Sequence, residues 1–135
     1  MGYWENNGES DEWFTPAYIF DALDEIFDVD VAAPEERVHV PCRYWLTEKM
    51  YAKGAPHTPD NQDWNVGRLH LHVGSGHVSN DAFVWMNPPF GGRNGIVPWL
   101  DKFFAHGNGI ALTPDRTSTD WWQDAAQKAD AVLFM

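Results

Sequence analysis

A short apolar run that ends at two consecutive prolines constrains the fold of this chain more than any other feature. Residues 82–86 have the length and the continuous hydrophobicity of a strand that is buried on both faces of a parallel sheet. The run stops at Asn87-Pro88-Pro89, because proline has a fixed φ and lacks a backbone donor. We therefore predict a buried parallel strand that presents Asn87 at its carboxyl end.

Periodic apolar residues predict alternating helices and strands around this run. Thr15 is the predicted N-cap of a first helix, which has Pro16 at its first position and ends near Phe27. The alternation over 27–31 predicts a strand that turns at Ala32-Ala33-Pro34. Residues 34–80 are predicted to be mainly irregular, apart from a strand over 69–73. The pattern that follows the apolar run predicts a helix over 98–105, a strand over 109–113, a helix over 119–129 and a strand over 131–135. This order predicts an α/β fold with a mainly parallel sheet and helices on its faces.

Length and composition indicate one globular domain. The chain has 135 residues, of which 44% are hydrophobic, and its single cysteine, Cys42, excludes an intramolecular disulfide. No apolar run approaches the ~18 residues of a membrane span, so we expect a cytoplasmic protein that makes no membrane contact. The polar residues 1–12 are expected to form a flexible arm before a domain over 13–135.

Charge is unevenly distributed along the chain. The net charge is −11, yet residues 1–36 hold eleven acids and no Lys or Arg, whereas residues 37–135 hold nine of each sign. An acidic protein is a poor non-specific ligand for nucleic acid, because phosphate binding depends on Lys and Arg. The neutral part carries all six histidines, among them His70 and His72. With a single cysteine and no second spaced pair, we predict no metal site.

Asn87-Pro88-Pro89-Phe90 suggests chemistry on a planar exocyclic amine. Ligands of parallel sheets bind at the carboxyl ends of the strands. There the Asn87 side-chain oxygen and the Pro88 carbonyl can accept both amine hydrogens, and Phe90 offers a face for stacking. Drawing the amine nitrogen toward sp³ geometry makes it a nucleophile for an electrophilic methyl group. The structural alternative is a strand-end turn, in which Asn and Pro are common.

Several motifs follow one another along the chain. They are Glu12-Trp13-Phe14-Thr15-Pro16, Phe27-Asp28-Val29-Asp30-Val31-Ala32-Ala33, Cys42-Arg43-Tyr44 with Thr47, Val84-Trp85-Met86-Asn87-Pro88-Pro89-Phe90-Gly91, Leu112-Thr113-Pro114 and Thr119-Asp120-Trp121-Trp122. In this order they resemble the phage-type DNA N-6-adenine methyltransferase (Dam) family, from Trp13 onward. The resemblance implies a Rossmann-like sheet with helices on both faces that uses S-adenosyl-L-methionine. It also implies double-stranded DNA with a flipped adenine as substrate, and a phage or prophage protein of a bacterial host, where DNA methylation can serve restriction-modification.

The resemblance assigns roles to residues of this chain that match the motifs. The catalytic loop is Asn87, Pro88, Pro89 and Phe90. The cofactor-binding residues are Trp13, Thr15, Pro16, Asp30, Ala32 and Ala33. The residues expected to contact the substrate are Phe90, Arg93, Arg116 and Trp121, while Thr113, Pro114 and Asp120 would shape the pocket wall.

The chain departs from the family pattern in three ways. No Gly-x-Gly follows the first strand, and residues 54–80 look like an insertion that contacts the target through Arg68, His70, His72 and His77. The family usually continues beyond a strand like 131–135, so the chain is expected to be truncated. Two alternatives stay open: the same chemistry on a protein glutamine amide or an RNA base amine, and an inactive truncated remnant. The sequence does not predict the oligomeric state.

Overall fold

The computed structural model describes residues 15–36, 40–47, 63–65, 81–89 and 95–135. Helices and strands alternate through these residues in the order α1 (Ala17–Leu23), β1 (Phe27–Ala33), β2 (Cys42–Thr47), β3 (Val84–Met86), α2 (Val97–His106), β4 (Gly109–Ala111) and α3 (Asp120–Lys128). The α/β class predicted from the sequence is confirmed in this part of the chain.

The four strands form one parallel sheet in the order β2-β1-β3-β4. In register, Val84 of β3 lies beside Val29 of β1 on one side and Gly109 of β4 on the other. The chain leaves β1 toward β2 and later returns on the opposite side of β1 with β3. The strand order therefore reverses between β1 and β3. At such a switch point a crevice opens at the carboxyl ends of the strands, where parallel sheets bind ligands.

Strand β3 is buried on both faces, as its apolar run predicts. Val84 and Met86 belong to a core cluster that includes Trp99 of α2. Trp85 belongs to a second cluster on the opposite face, where its ring packs edge-on against Phe20 of α1 with the centroids 4.8 Å apart. Because successive side chains of a strand point to opposite faces, helices cover both faces of the sheet.

Helix α1 is shorter at both ends than the sequence predicts. Its N-cap is Pro16 rather than Thr15, and no side chain caps the first turn. The helix ends at Leu23 because Asp24 adopts a left-handed φ of 51°, which Asp tolerates better than most residues. The predicted cap at Thr15 is therefore wrong, and so is the predicted end near Phe27, which instead begins β1.

Strands β1 and β2 extend further than the sequence indicates. Ala32 and Ala33, predicted to turn, continue β1 because Ala33 pairs with Thr47 of β2. Strand β2 lies in the stretch predicted to be mainly irregular. Its two adjacent exposed residues, Arg43 and Tyr44, break the period of two by which a half-buried strand is recognised in a sequence.

Residues 131–135 form no strand, so that prediction is wrong. The segment is exposed along its whole length, and Leu133 is 80% exposed. Apolar composition favours a strand only where a neighbouring edge accepts the backbone, and no pairing forms here among the described residues. The Phe134 ring instead stacks on Trp122 of α3, with the centroids 5.9 Å apart.

The two later helices agree with the predictions to within two residues. Helix α2 begins with Pro98 in its first turn and ends before Gly107, whose φ of 80° gives the left-handed C-cap. Helix α3 has Thr119 as its N-cap, and the Thr119 hydroxyl donates a 2.7 Å hydrogen bond to the carbonyl of Arg116. Both helices pack on the sheet face that carries Val84 and Met86.

A short segment is fastened to the amino end of β3. Trp64 is 2% exposed and lies edge-on to the His106 ring at 5.8 Å. His106 Nε2 donates to the Ala82 carbonyl at 2.6 Å, and Asn65 Oδ1 accepts from the Ala82 N–H at 2.9 Å. These contacts lie at the amino end of β3, whereas Asn87 follows its carboxyl end, so their role is to hold the start of the strand.

Some of the sequence predictions fall on other parts of the chain. The arm over 1–12, the strand over 69–73 and most of the segment 54–80, with Arg68, His57, His70, His72 and His77, lie outside the described residues. Within the described residues, no helix has the length and apolar character needed to cross a membrane.

The close approach of β4 to β3 requires glycine at position 109. A Cβ built on Gly109 lies 2.5 Å from the carbonyl oxygen of Val84, far inside van der Waals contact. Gly109→Ala should therefore lower the free energy of unfolding by roughly 2 kcal/mol, within the range of overpacking costs. Gly107→Ala is the matched control, because a Cβ there meets nothing closer than 3.9 Å and only the positive φ opposes it.

We expect urea denaturation to show the larger loss for Gly109→Ala. Equal losses for the two variants would show that β3 and β4 are not packed as closely as described.

Candidate active site

The carboxyl ends of β1 and β3 bring together residues that are distant in sequence. Strand β1 contributes Asp30 and Ala32-Ala33, and β3 is followed by Asn87-Pro88-Pro89. Asp30 pairs with Trp85, two residues before Asn87, on the neighbouring strand. The cofactor residues predicted on β1 and the catalytic residues predicted after β3 therefore lie at the same switch point.

The chain that follows β3 is held in place on both sides. The Met86 carbonyl accepts a 2.8 Å hydrogen bond from the Leu112 N–H, so sheet pairing continues up to the residue before Asn87. The Pro88 side chain is fully buried, while Asn87 and Pro89 are half-buried. Asn87 is thus the first residue beyond the sheet, on a backbone that the prolines make stiff.

The Thr-Pro element before α1 contacts Asn87 directly. Asn87 Nδ2 donates a hydrogen bond to Thr15 Oγ1 at 3.2 Å, across 72 residues of sequence. Thr15 is 4% exposed, and Pro16 is half-buried beside it. This contact is not predictable from the sequence, because local patterns do not report which residues meet across such a separation. In the structure, the Thr15 hydroxyl bonds Asn87 and does not cap the first turn of α1.

Asp30 is a buried carboxylic acid in the middle of β1, three residues before the last residue of the strand. Its side chain is 4% exposed, and Oδ1 accepts a 3.2 Å hydrogen bond from the Ala32 N–H. Burial removes water from the carboxylate and raises the pKa of Asp30 from 3.8 to about 7, although the Ala32 hydrogen bond acts in the opposite direction. A carboxyl group with this pKa at a switch point is typical of a functional site.

The loop after β4 forms the next part of the same edge. Thr113 and Pro114 are half-buried directly after the strand, and Arg116 is exposed further along. Trp121, in the first turn of α3, packs against the core cluster of the sheet. Asp120 is exposed in that turn. Arg116 is thus an exposed residue of the loop between β4 and α3, while part of the Trp121 surface is used in packing.

Three predicted site residues, Trp13, Phe90 and Arg93, lie outside the described residues. Their assigned contacts with cofactor and substrate stay predictions. In the part of the chain that is described, no group of three or more His, Cys, Asp or Glu side chains is arranged to hold a metal ion.

The arrangement around Asn87 suits a ligand that donates two hydrogens from one nitrogen. An asparagine carboxamide carries an acceptor oxygen and a donor nitrogen, and its nitrogen is directed at Thr15. Its oxygen therefore leaves the amide along the other branch, about 120° away. The Pro88 carbonyl is the backbone acceptor that follows directly in the chain. The Asn87 oxygen and the Pro88 carbonyl are thus two acceptors on successive residues that directly follow β3.

The fold defines an α/β protein with a candidate ligand site at the switch point of a parallel sheet, built on an asparagine followed by two prolines. The chain belongs to the DNA N-6-adenine-methyltransferase (Dam) family, whose model matches residues 5–135. This match confirms the resemblance found in the sequence.

A second similarity covers a smaller part of the chain. It is to the NAD(+)--protein-arginine ADP-ribosyltransferase Tre1 of Pseudomonas putida (strain GB-1), with 28% identity over 74 residues. The aligned stretch is 54% of this chain but spans 14% of that relative's length. No solved structure matches the chain significantly.

The raised pKa of Asp30 predicts how the stability of the protein depends on pH. The folded state binds the Asp30 proton more tightly than the unfolded state, so its stabilisation is complete below about pH 4 and is lost as the pH rises through about 7. Asp30→Asn removes this titration. The difference in free energy of unfolding between wild type and variant should therefore shift by on the order of 4 kcal/mol from pH 4 to pH 8.

Urea denaturation of both proteins across this pH range measures the shift. Two stability curves that run parallel would contradict the burial of a titrating carboxyl group on β1.

Proposed function

We propose that this chain transfers a methyl group from S-adenosyl-L-methionine to the exocyclic N6 amine of adenine in double-stranded DNA. The observation that carries the proposal is the position of Asn87. It is the first residue beyond β3 at the switch point, it is followed by two prolines, and its amide nitrogen bonds Thr15. Membership of the Dam family supports adenine in DNA as the substrate class.

The Asn87 oxygen and the Pro88 carbonyl accept the two hydrogens of the adenine amine. An exocyclic amine is a weak nucleophile, because its lone pair is delocalised into the ring. Two acceptors that lie out of the base plane favour a pyramidal nitrogen and return the lone pair to it. The acceptors are fixed before the substrate arrives, so little reorganisation accompanies the reaction.

The end of β1 has the chemistry needed to hold the cofactor. Asp30 is a buried acid that accepts a hydrogen bond from the Ala32 N–H, and the nearby Ala32 and Ala33 carry only small side chains. An ammonium group or ribose hydroxyls are the ligand groups that such a carboxylate recognises. When bound, the cofactor supplies an electrophilic methyl group. Pro16 and Trp13 complete the proposed cofactor side of the crevice.

Duplex DNA presents its adenine amine inside the base stack, so the target base must leave the stack to reach Asn87. Phe90 is proposed to stack on the flipped base, with Trp121 near it. Arg93 and the exposed Arg116 are proposed to contact phosphates, since Lys and Arg supply most of the affinity for DNA. We further propose the Rossmann-like arrangement of methyltransferases and a phage or prophage role, in which methylation protects DNA against restriction.

Asn87→Ala should abolish turnover and leave cofactor binding intact. Removing one preorganised polar group at a reacting centre typically lowers kcat by about 100-fold to 1,000-fold. The cofactor contacts are proposed at the end of β1, so the dissociation constant for S-adenosyl-L-methionine should change less than about twofold. Labelled methyl transfer to unmethylated DNA and equilibrium cofactor binding measure the two effects.

Asn108→Ala is the matched control, because Asn108 lies at the opposite edge of the sheet and its Nδ2 donates to the Asp81 carbonyl at 3.0 Å. It should keep wild-type turnover. A fully active Asn87→Ala variant would contradict the proposed role of Asn87.

A further inference from the structure

The Thr15 hydroxyl is engaged by the catalytic loop rather than by helix α1. Thr15 is 4% exposed and directly precedes Pro16, the N-cap residue of α1. A threonine at a helix start commonly caps the first turn, but no side chain caps α1. Its Oγ1 instead accepts a 3.2 Å hydrogen bond from Asn87 Nδ2.

The two partners are anchored to the same part of the core. Phe20 of α1 lies five residues after Thr15, and Trp85 of β3 lies two residues before Asn87. The Phe20 and Trp85 rings pack edge-on at 4.8 Å within one buried cluster. The separation of Thr15 from Asn87 is therefore set by rigid packing, and not by two mobile loops.

The orientation of an asparagine amide matters where it must accept a hydrogen bond. Rotating the Asn87 carboxamide by half a turn exchanges its oxygen and nitrogen, which have nearly the same size. With the nitrogen toward the substrate, an N–H donor would face the donating hydrogens of an amine. A group that bonds the nitrogen on the far side favours the productive orientation.

We propose that Thr15 is a positioning residue whose hydroxyl accepts from Asn87 Nδ2 and so turns Asn87 Oδ1 toward the substrate amine. This inference rests on the proposed function of Asn87. It differs from a contact between Thr15 and the cofactor, which the sequence analysis expected. The two roles predict different effects of removing the hydroxyl. Loss of a positioning group lowers kcat, whereas loss of a cofactor contact weakens cofactor binding.

The test compares Thr15→Val, which keeps the shape and removes the hydroxyl, with Thr15→Ser, which keeps the hydroxyl. We expect Thr15→Val to lower kcat about tenfold, the equivalent of one hydrogen bond of typical strength. The KM for DNA and the dissociation constant for S-adenosyl-L-methionine should stay within about twofold of wild type. Thr15→Ser should restore most of the lost kcat.

Thr47→Val is the matched control for replacing a buried hydroxyl. Thr47 is also 4% exposed, and it lies on β2, which is two strands away from β3 in the sheet. Its kcat should stay close to wild type, and thermal melting of every variant should show a folded protein. If Thr15→Val does not fold, Thr15→Ala makes the same test with a smaller side chain.

Three results would overturn the inference, and they differ from one another. Wild-type kcat in Thr15→Val would show that the hydroxyl does not orient Asn87. Weakened cofactor binding at unchanged kcat would assign Thr15 to the cofactor instead. A wild-type protein that binds the cofactor but methylates no DNA would overturn the proposed function, and this inference with it.

Discussion

The burial of β3 on both faces is the constraint on which the rest of the structure depends. Val84 and Met86 pack toward α2, and Trp85 packs toward α1 on the other side. Because both faces and both edges of this strand are occupied, its carboxyl end has one position relative to the sheet. Asn87, the next residue, inherits that position. The geometry of the site is thus a consequence of core packing one residue away.

The same packing connects three parts of the chain that the site requires. Helix α1 packs against Trp85 and thereby places Thr15 against Asn87. Strand β1 pairs with β3 and places Asp30 beside Trp85. Each contact joins residues more than fifty positions apart. A site of this kind is formed only when the sheet is complete, so folding and function depend on the same buried strand.

The sequence predicts correctly those elements that a local pattern of apolar residues and helix-start residues marks. The apolar run before Asn87, the helix with Pro98 in its first turn and the helix capped by Thr119 are all present. Prediction from local patterns was wrong where contacts with distant parts of the chain decide whether a segment forms a strand. Strand β2 pairs along its edge despite adjacent exposed residues, and the apolar residues 131–135 remain unpaired within the described residues.

The candidate site shows the same division. The role proposed for Asn87 rests on a short motif, whereas its hydrogen bond to Thr15 depends on how α1 docks on the sheet. The motif around Thr15 suggested a helix cap, because a threonine before a proline has that local meaning. The burial of Asp30, which raises its pKa, is likewise not visible in the sequence, because it depends on how the rest of the fold packs around β1.

The most direct test of this account is the chemical identity of the product. Purified protein is incubated with unmethylated duplex DNA and S-adenosyl-L-methionine labelled in its methyl group, and the DNA is digested to nucleosides. The account predicts that the label is found in N6-methyladenine. Cofactor binding without any labelled adenine would contradict it, as would label that parallel incubations with a protein or with RNA place only in a glutamine or in an RNA base.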